Sequence, residues 1–300
     1  MSDTDRQPES STANRSGWTS WLLRRAAVLL LIYAGLLIML SLLENSLLFF
    51  PMPYPAGNWN PAGLPIEDAE FAASDGTKLH GWFLPHDQPR AVVLFAHGNA
   101  GNITHRLDQL IHFWQQHRVS IMCFDYRGYG RSEGTPTESG VLDDARAART
   151  WLAKRAGVGE QDIVLMGESL GGGVVVDLAA RDGAKGLLLQ NTFTSLPDVA
   201  AYHYWYVPVR LLMRNKLDSR ALIGEYHGPL VQCHGDRDSI VPYELGKQLH
   251  EAANEPKILV TLRGHDHNDP MVYPGDPSLE EYDIAVDAFF TALSEPEPDE

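Results

Sequence analysis

One serine stands on a corner of the chain where it could act as a nucleophile. The run GESLG, residues 167–171, has the pattern G-x-S-x-G, with Ser169 at its centre. This pattern is typical of a turn between a strand and a helix that is so tight that only small residues fit beside the serine. A neutral serine hydroxyl needs a base to take its proton and an acid to orient that base. The motif therefore predicts attack of Ser169 on an acyl carbonyl.

The segments on either side of the serine match the strand and the helix that this turn requires. Residues 162–166 form a short apolar run with β-branched residues, which favours a buried strand, and residues 170–181 have a helical pattern. The start of that helix directs the N–H of Leu170 toward negative charge that develops on the attacked carbonyl. Leu170 is therefore predicted to supply one donor of an oxyanion hole.

Candidates for the acid and the base follow at the ends of two later strands. Asp236 and Asp238 come just after the apolar run 229–235, and His265 and His267 come just after the final strand. The order serine, acid, histidine along the chain is one of the known orders of a catalytic triad. Spacing alone leaves both aspartates and both histidines open.

The elements that would hold these residues alternate between strand and helix, which favours an α/β fold with a mostly parallel sheet. Residues 70–85 predict an initial hairpin with Asp75 and Gly76 at its turn. Further buried strands are predicted within residues 91–98, 119–128, 162–166, 186–190, 229–235 and 257–264, and helices within 103–117, 141–155, 170–181 and 278–293.

Together with HGNAGN at 97–102 and FDYRGYGRSEG at 124–134, these motifs resemble the α/β-hydrolase superfamily over roughly residues 66–293. Within it, the chain is similar to the membrane-anchored serine hydrolases that include protein depalmitoylases. The resemblance implies an α/β-hydrolase fold with a mostly parallel central sheet flanked by helices and a short cap.

The resemblance also implies roles for individual residues. The family pattern H-G-x-x-D-x-x-V-P falls on residues 234–242 and makes Asp238 the acid, with Asp236 a solvated loop carboxylate. The base of the family precedes Asn-Asp, which favours His267 over His265. It gives the second oxyanion donor to the backbone N–H of Asn99.

Other polar residues of these motifs are interpreted as structural. His97 is predicted to be a loop histidine, and Asp125 and Arg127 are predicted to organise the turn beneath the site. Histidines outside the motifs are interpreted as surface or core residues.

Residues 191–228 are too long for a simple crossover and predict a short cap-like excursion. The run 202–206, YHYWY, is the most aromatic stretch of the chain. Two interpretations stay open. The aromatic residues line an acyl pocket or touch a bilayer, or they pack over the sheet as part of an ordinary connecting helix.

The first part of the chain predicts a membrane anchor. Residues 1–17 are polar and predict a disordered head, and residues 26–43 carry no charge over a length close to the roughly 20 residues that span a bilayer. We assign residues 18–45 to a single-pass transmembrane signal anchor, because no small-residue cleavage site follows as in a cleaved signal peptide. Arginines precede the span and no Lys or Arg follows before Lys78, which predicts a cytoplasmic N-terminus.

The remaining boundaries follow from composition. We expect a linker over 46–65, a catalytic domain over 66–293 and a solvated acidic tail over 294–300. With the N-terminus cytoplasmic, the catalytic domain would lie outside the cytoplasm, in the periplasm of a bacterium with two membranes.

Composition excludes several classes of function. The formal net charge of −15 argues against a nucleic-acid partner. The 2 cysteines, Cys123 and Cys233, exclude a disulfide framework. A metal site built from HDHND at 265–269 with Asp236 and Asp238 is the chemical alternative, but it leaves the serine motif unexplained. We expect neither a cofactor nor a metal, and the sequence carries no signal for the oligomeric state.

The sequence thus predicts a membrane-tethered serine hydrolase that cleaves ester or thioester bonds of small or acyl-chain substrates through an acyl-enzyme. Two alternatives remain. One is a hydrolase-fold protein that binds a lipid or a partner without turnover, and the other is a serine peptidase with the same triad.

Overall fold

The computed structural model describes residues 15–272 and 274–294. The chain divides into two units, one ending at Glu44 and the other beginning at Asn45. Most of the predicted disordered head, residues 1–14, and most of the predicted acidic tail, residues 295–300, lie outside the described residues.

The first unit consists of one long helix, α1, over Arg15–Leu42. Its stretch Trp18–Leu42 is long and apolar enough, by length and composition, to cross a membrane. The helix begins at Arg15, inside the segment 1–17 that composition predicts to be disordered. Once a helix is nucleated, each added residue gains a hydrogen bond, so a helix extends past the apolar run that makes it favourable.

The second unit contains an eight-stranded sheet and the helices that cover it. Its strands are β1 Phe50–Pro51, β2 Glu67–Ala72, β3 Lys78–Leu84, β4 Val92–Ala96, β5 Ala100–Gly101, β6 Ser120–Asp125, β7 Ile163–Glu168, β8 Gly186–Gln190, β9 Leu230–Gly235 and β10 Lys257–Leu262. Its α-helices, after α2 at Glu44–Leu48, are α3 Leu107–Gln116, α4 Glu138–Ala156, α5 Leu170–Asp182, α6 Leu196–His203, α7 Val209–Leu212, α8 Ser219–Leu222, α9 Tyr243–Ala252 and α10 Pro277–Ser294.

The large sheet has the strand order β10-β9-β8-β7-β4-β6-β3-β2. Strands β4 and β6 to β10 are mutually parallel, and β3 and β2 form an antiparallel hairpin at one edge, with Ala72 opposite Lys78. The predictions of an α/β fold, a mostly parallel sheet and an initial hairpin are confirmed. Since parallel strands end at the same edge, the loops after β4, β7, β9 and β10 meet there.

Helices cover both faces of the sheet, which explains why its central strands are apolar along their whole length. On β4, Leu94 belongs to the core on the side of α4 and α5, whereas Val93 and Phe95 belong to the core on the side of α3 and α10. The alternation follows from the two-residue period of a strand. The two cores hold the strand ends, and thus the site, in a fixed relation.

The segment predicted as a linker, residues 46–65, is packed into the second unit. β1 pairs in parallel with β5, and Phe49 and Trp59 are buried. These apolar contacts and the short ladder offset the entropy of ordering a proline-rich segment. The predicted cap, residues 191–228, carries α6, α7 and α8 between β8 and β9.

Candidate active site

Ser169 lies at the corner between β7 and α5, in a strained backbone conformation. Its φ of 51° and ψ of −114° belong to a region that residues with a side chain rarely adopt. The turn is tight: a Cβ on Gly171 would lie 1.9 Å from the carbonyl oxygen of Ala96. Gly171, two residues after the serine, is therefore required by the close approach of α5 to β4. The strain presents the hydroxyl at the edge of the sheet.

His267 connects the serine to an aspartate. Its Nε2 lies 3.0 Å from the Oγ of Ser169, and its Nδ1 lies 2.7 Å from Oδ2 of Asp238. In the tautomer that fits both bonds, the Nδ1–H donates to Asp238 and the Ser169 hydroxyl donates to Nε2. The three side chains come from the loops after three different strands, β7, β9 and β10. In this geometry a base can take the serine proton.

The Asp238 carboxylate is held ionised. Oδ1 accepts the backbone N–H groups of Ile240 and Val241, at 2.9 and 2.6 Å. His234 Nε2 lies 3.2 Å from Oδ2. Burial raises the pKa of Asp238, but the hydrogen bonds from His234 and His267 lower it more, to about 2. The aspartate therefore remains a charged acceptor for His267 throughout the neutral range.

His234 is a site residue whose role sequence reasoning did not assign. It is fully buried on β9, and its Nε2 also lies 2.9 Å from the carbonyl oxygen of Val241, within the turn that carries Asp238. A Cβ on Gly246 would lie 2.1 Å from its Nδ1, so the glycine of α9 makes room for the ring. The pattern H-G-x-x-D, in which His234 precedes Asp238 by four residues, was the feature of the sequence that could have indicated this contact.

The two neighbouring candidates are bonded elsewhere. His265 Nε2 lies 2.8 Å from Oδ2 of Asp276, at the start of α10. Oδ1 of Asp236 accepts the backbone N–H of Gly264 at 2.6 Å, while the residue itself is exposed. Of the two histidines, His267 therefore contacts Ser169, whereas His265 is bonded to Asp276. Of the two aspartates, Asp238 contacts His267, whereas Asp236 stabilises a loop.

Asn191, the residue that follows β8, supports the loop of His267. Its side-chain amide donates to the carbonyl of His267 at 3.2 Å, and its Oδ1 accepts the N–H of Gly235 at 3.0 Å. The residue is buried and has a φ of 47°. Asn tolerates this left-handed conformation better than most residues with a side chain. One side chain therefore connects the end of β9, which precedes Asp238, to the loop that carries His267.

The predicted oxyanion donors are the main-chain N–H groups of Leu170 and Asn99. Leu170 is the first residue of α5, so its N–H has no partner within the helix. The carbonyl of Asn99 accepts from the Tyr129 hydroxyl at 2.7 Å and from the Phe50 N–H at 3.0 Å, and its side chain donates to Leu48 at 2.7 Å. The Asn99 side chain and carbonyl are thus both bonded within the protein, and the donor role of its main-chain N–H stays a prediction.

An ion pair that the sequence did not reveal lies under the loop of Asn99. Glu168, the residue before the serine, accepts from Arg106 at 2.6 and 3.1 Å, and both side chains are largely buried. A Cβ on Gly98 would lie 3.2 Å from Glu168 and 3.3 Å from Arg106. The pair therefore connects the nucleophile turn to the loop after β4. The partners are 62 residues apart, so no local pattern announces them.

The residues interpreted as structural are buried or bonded. His97 is fully buried, its Nδ1 lies 2.7 Å from the carbonyl of Gly98, and burial lowers its pKa to about 3. Asp125 accepts the N–H of Ile103 at 2.9 Å. Arg127 pairs with three other aspartates and not with Asp125; these partners are Asp144 at 2.8 Å, Asp75 at 2.9 Å and Asp143 at 3.7 Å.

Potential metal ligands converge elsewhere in the described part of the chain. His112, His117 and Asp283 place one ligand atom each within 4.8 Å of one another, where α3 meets α10. Oδ1 of Asp283 lies 2.8 Å from His112 Nε2 and 3.3 Å from His117 Nε2, so the group is also satisfied as a hydrogen-bonded cluster. Among the residues of the alternative metal site predicted from HDHND, His267 bonds to Asp238 and Ser169, and His265 bonds to Asp276. Asp236 and Asp266 accept loop N–H groups.

Comparisons with known proteins agree with the fold. The family model described as serine aminopeptidase, S33, matches residues 87–222, which include Ser169 and end before Asp238 and His267. The uncharacterized protein Rv2307c of Mycobacterium tuberculosis is 36% identical over 259 residues, which cover 85% of this chain and 91% of the relative. The uncharacterized membrane protein YNL320W of Saccharomyces cerevisiae is 31% identical over 220 residues, 71% of this chain and 77% of the relative.

Among solved structures, the esterase Pf2001 of Pyrococcus furiosus matches with a TM-score of 0.66 at 20% identity, covering 82% of this chain and 100% of the esterase chain. The strand order, the strained serine turn and these matches define one class of protein: the chain belongs to the α/β-hydrolase superfamily. Hydrolysis is the type of reaction that the matches support. The closer resemblance to protein depalmitoylases stays a prediction.

Proposed function

We propose that the protein is a serine hydrolase that cleaves carboxylic ester or thioester bonds and is tethered to a membrane by α1. The observation that carries the proposal is the chain of two hydrogen bonds from Asp238 through His267 to Ser169, at 2.7 and 3.0 Å, with the serine on a strained turn. Nucleophile, base and acid are the roles we assign to Ser169, His267 and Asp238.

In the first half of the reaction, His267 Nε2 takes the hydroxyl proton while Ser169 Oγ bonds to the acyl carbon. The N–H groups of Leu170 and Asn99 would donate to the oxygen that becomes negative. His267 then returns the proton to the departing alcohol or thiol as the bond from the acyl carbon to that group breaks. Asp238, which remains ionised, stabilises the transient imidazolium.

In the second half, water takes the place of the leaving group. His267 accepts one proton from the water, whose oxygen attacks the acyl carbon, and then gives a proton to Ser169 Oγ as the acid product leaves. The enzyme returns to its starting state, and the products are one carboxylic acid and one alcohol or thiol.

The name of the matching family model suggests amide cleavage at a free N-terminus, which would need an acidic group to bind the substrate's ammonium. Two carboxylates next to the triad are already bonded within the protein. Glu168 pairs with Arg106, and Asp266 accepts the N–H groups of Ser239 and His267, each at 2.7 Å. These bonds favour ester and thioester substrates over aminopeptidase substrates.

Membrane tethering rests on two observations. The stretch Trp18–Leu42 has the length and composition of a membrane span, and a relative carries the description of a membrane protein. The arginines before the span lead us to propose a cytoplasmic N-terminus and an extracytoplasmic catalytic unit. An alkaline phosphatase fused after Glu300 is expected to be active outside the cytoplasm. Activity restricted to the cytoplasmic side would reverse the orientation.

The mechanism is tested on the detergent-solubilised full chain with a fluorophosphonate probe and with p-nitrophenyl esters of increasing acyl length. We expect Ser169→Ala to abolish labelling and to lower kcat/KM by about 10⁴-fold or more. Asn99→Ala keeps the main-chain N–H, so its loss should stay below the ~10²-fold that removal of an oxyanion donor costs. Aminoacyl p-nitroanilides should be poorer substrates than the esters.

A folded wild-type chain that neither labels nor turns over would favour the non-catalytic binding protein. Equal losses in Asn99→Ala and Ser169→Ala would contradict the main-chain assignment at Asn99. Preferential cleavage of aminoacyl anilides would replace the esterase by the peptidase.

A further inference from the structure

An exposed aromatic segment lies in the cap. We define it as residues 202–216, which connect the end of α6 through α7 to the approach of α8. Its aromatic tip, residues 202–206, faces solvent, with Trp205 82% exposed. Leu211 on α7 is 86% exposed. These side chains therefore neither pack over the sheet nor line a closed pocket. A cluster of this kind on a soluble surface is typical of an interaction site.

The charge of the segment is opposite to that of the molecule. The chain has 39 Asp and Glu against 24 Lys and Arg, but residues 202–216, YHYWYVPVRLLMRNK, contain 3 basic residues and no carboxylate. Trp and Tyr combine an apolar ring with a polar group and are enriched where hydrocarbon meets water. Aromatic rings together with Lys and Arg are the combination found on segments that lie on bilayers with anionic lipids.

The segment is fixed to the rest of the catalytic unit, close to the site. Its Val209 is buried, and Arg210 pairs with Asp198 at 2.8 Å. His203 Nε2 lies 2.8 Å from the carbonyl of Ile240, whose N–H donates to Asp238 at 2.9 Å. The aromatic tip is therefore next to the loop that carries the proposed catalytic acid.

The other end of the segment contacts the start of the catalytic unit. The side-chain amide of Asn215 donates to Oδ1 of Asn45 at 2.9 Å. Asn45 follows the end of α1, at Leu42, by only three residues, a distance of at most about 11 Å along an extended chain. If α1 spans a bilayer, chain connectivity alone brings Asn215 near the surface of that bilayer.

We propose that the aromatic segment, residues 202–216, is a second membrane contact, which lies in the interface of the bilayer that holds α1 and directs the active-site edge toward lipid. This inference rests on the part of the proposed function in which α1 tethers the protein to a membrane. The aromatic tip inserts among the headgroups of the lipids. Acyl substrates that reside in the membrane then reach Ser169 without crossing bulk water.

The test uses the full chain reconstituted in vesicles of phosphatidylcholine with a minority of phosphatidylglycerol. Trp205→Cys is labelled with a nitrobenzoxadiazole fluorophore, and Ile284→Cys, at a 71% exposed position of α10, is the matched control. The native Cys123 and Cys233 are fully buried, so labelling is specific. Leu211→Cys gives a second site on the segment should Trp205→Cys fold poorly. We expect a blue-shifted emission at position 205, and quenching by spin-labelled lipid several-fold stronger than at position 284.

Vesicle flotation and fluorophosphonate labelling are measured in the same samples and report on the tether and on the serine chemistry. Chain that floats and labels, but whose position-205 fluorophore stays aqueous like that at 284, overturns the second contact alone. Chain that fails to float overturns the tether and the second contact together. A blue shift that appears without lipid and grows with protein concentration assigns the segment to contact between two copies and also overturns the proposal.

Discussion

The catalytic edge of the sheet and the aromatic segment, residues 202–216, are neighbours with opposite construction. At this edge, side chains from the loops after β7, β8, β9 and β10 are buried and bonded to partners far away in sequence, as Asn191 is to Gly235 and His267. In the aromatic segment, consecutive rings face solvent. Precise chemistry needs a geometry that the fold over-determines, whereas an adaptable surface needs exposed side chains on a fixed base.

The largest expected effect distinguishes the two histidines that spacing alone left open. His267→Ala removes the proposed base, whose Nε2 lies 3.0 Å from the Oγ of Ser169, so kcat/KM should fall by about 10⁴-fold or more. His265→Ala removes a bond to Asp276 and should change kcat/KM only slightly. Ester hydrolysis by both variants, each checked by circular dichroism, measures the contrast. Similar losses would mean that the loop presents either ring to the serine.

The two aspartates allow the same comparison at the next strand end. Asp238→Asn keeps the shape but favours the wrong His267 tautomer, and we expect a loss in kcat of about 10³- to 10⁴-fold. Asp236→Asn, at a side chain that accepts the Gly264 N–H and lies away from His267, is the matched control and should retain most activity. An Asp236→Asn variant as inactive as Asp238→Asn would contradict the assignment of the acid.

The pH dependence of the free energy of unfolding gives a second test of Asp238. Its pKa of about 2 in the folded chain lies below the ordinary 3.8, so the carboxylate stabilises the fold above about pH 4, and this contribution is lost as the pH falls toward 2. Urea unfolding should therefore show wild type more stable than Asp238→Asn near neutral pH. The free energies of unfolding of the two proteins should become equal as the pH falls toward 2. A difference that stays constant with pH would argue against an ionised, hydrogen-bonded Asp238.

A smaller effect on the rate is expected from the ion pair between Glu168 and Arg106, which lies next to the turn of Ser169. Glu168→Gln breaks the charge pair with Arg106 and loosens the turn against the Asn99 loop, and displacements of this kind cost about 10- to 100-fold in rate. Because Glu168 positions the site, we expect the loss in kcat with little change in KM. Glu67→Gln, in a more exposed pair with Arg155, is the control and should leave both constants unchanged. A loss confined to KM would assign Glu168 to substrate binding.

Much of this fold could be predicted from the sequence because its signals are local. The serine turn, the hairpin and the apolar strands each depend on residues close in the chain, and the structure has them near the predicted positions. The chain order of nucleophile, acid and base likewise follows from the order of the strand ends. Spacing alone does not separate His265 from His267. The family resemblance favours His267 through the Asn-Asp that follows it, and the folded loop brings that ring to Ser169.

The features that sequence reasoning missed depend on contacts between distant segments. Glu168 and Arg106 meet across 62 residues, and Asn191 contacts the His267 loop across 76. Residues 46–65 have the composition of a linker, but burial of Phe49 and Trp59 fixes them in the catalytic unit. Composition cannot anticipate such burial, because it depends on the surface that other elements present.

The smallest expected effect tests the aromatic side of the comparison. Leu211 is exposed, so Leu211→Ser should change the free energy of unfolding by no more than about 0.5 kcal/mol. Val209, two residues earlier, is buried, and Val209→Ala removes two methyl groups and should cost about 1–2 kcal/mol. Urea unfolding of the full chain in detergent measures both. Equal destabilisation by the two substitutions would mean that Leu211 packs against the protein in solution, and the segment would then lose the free apolar surface that a lipid contact requires.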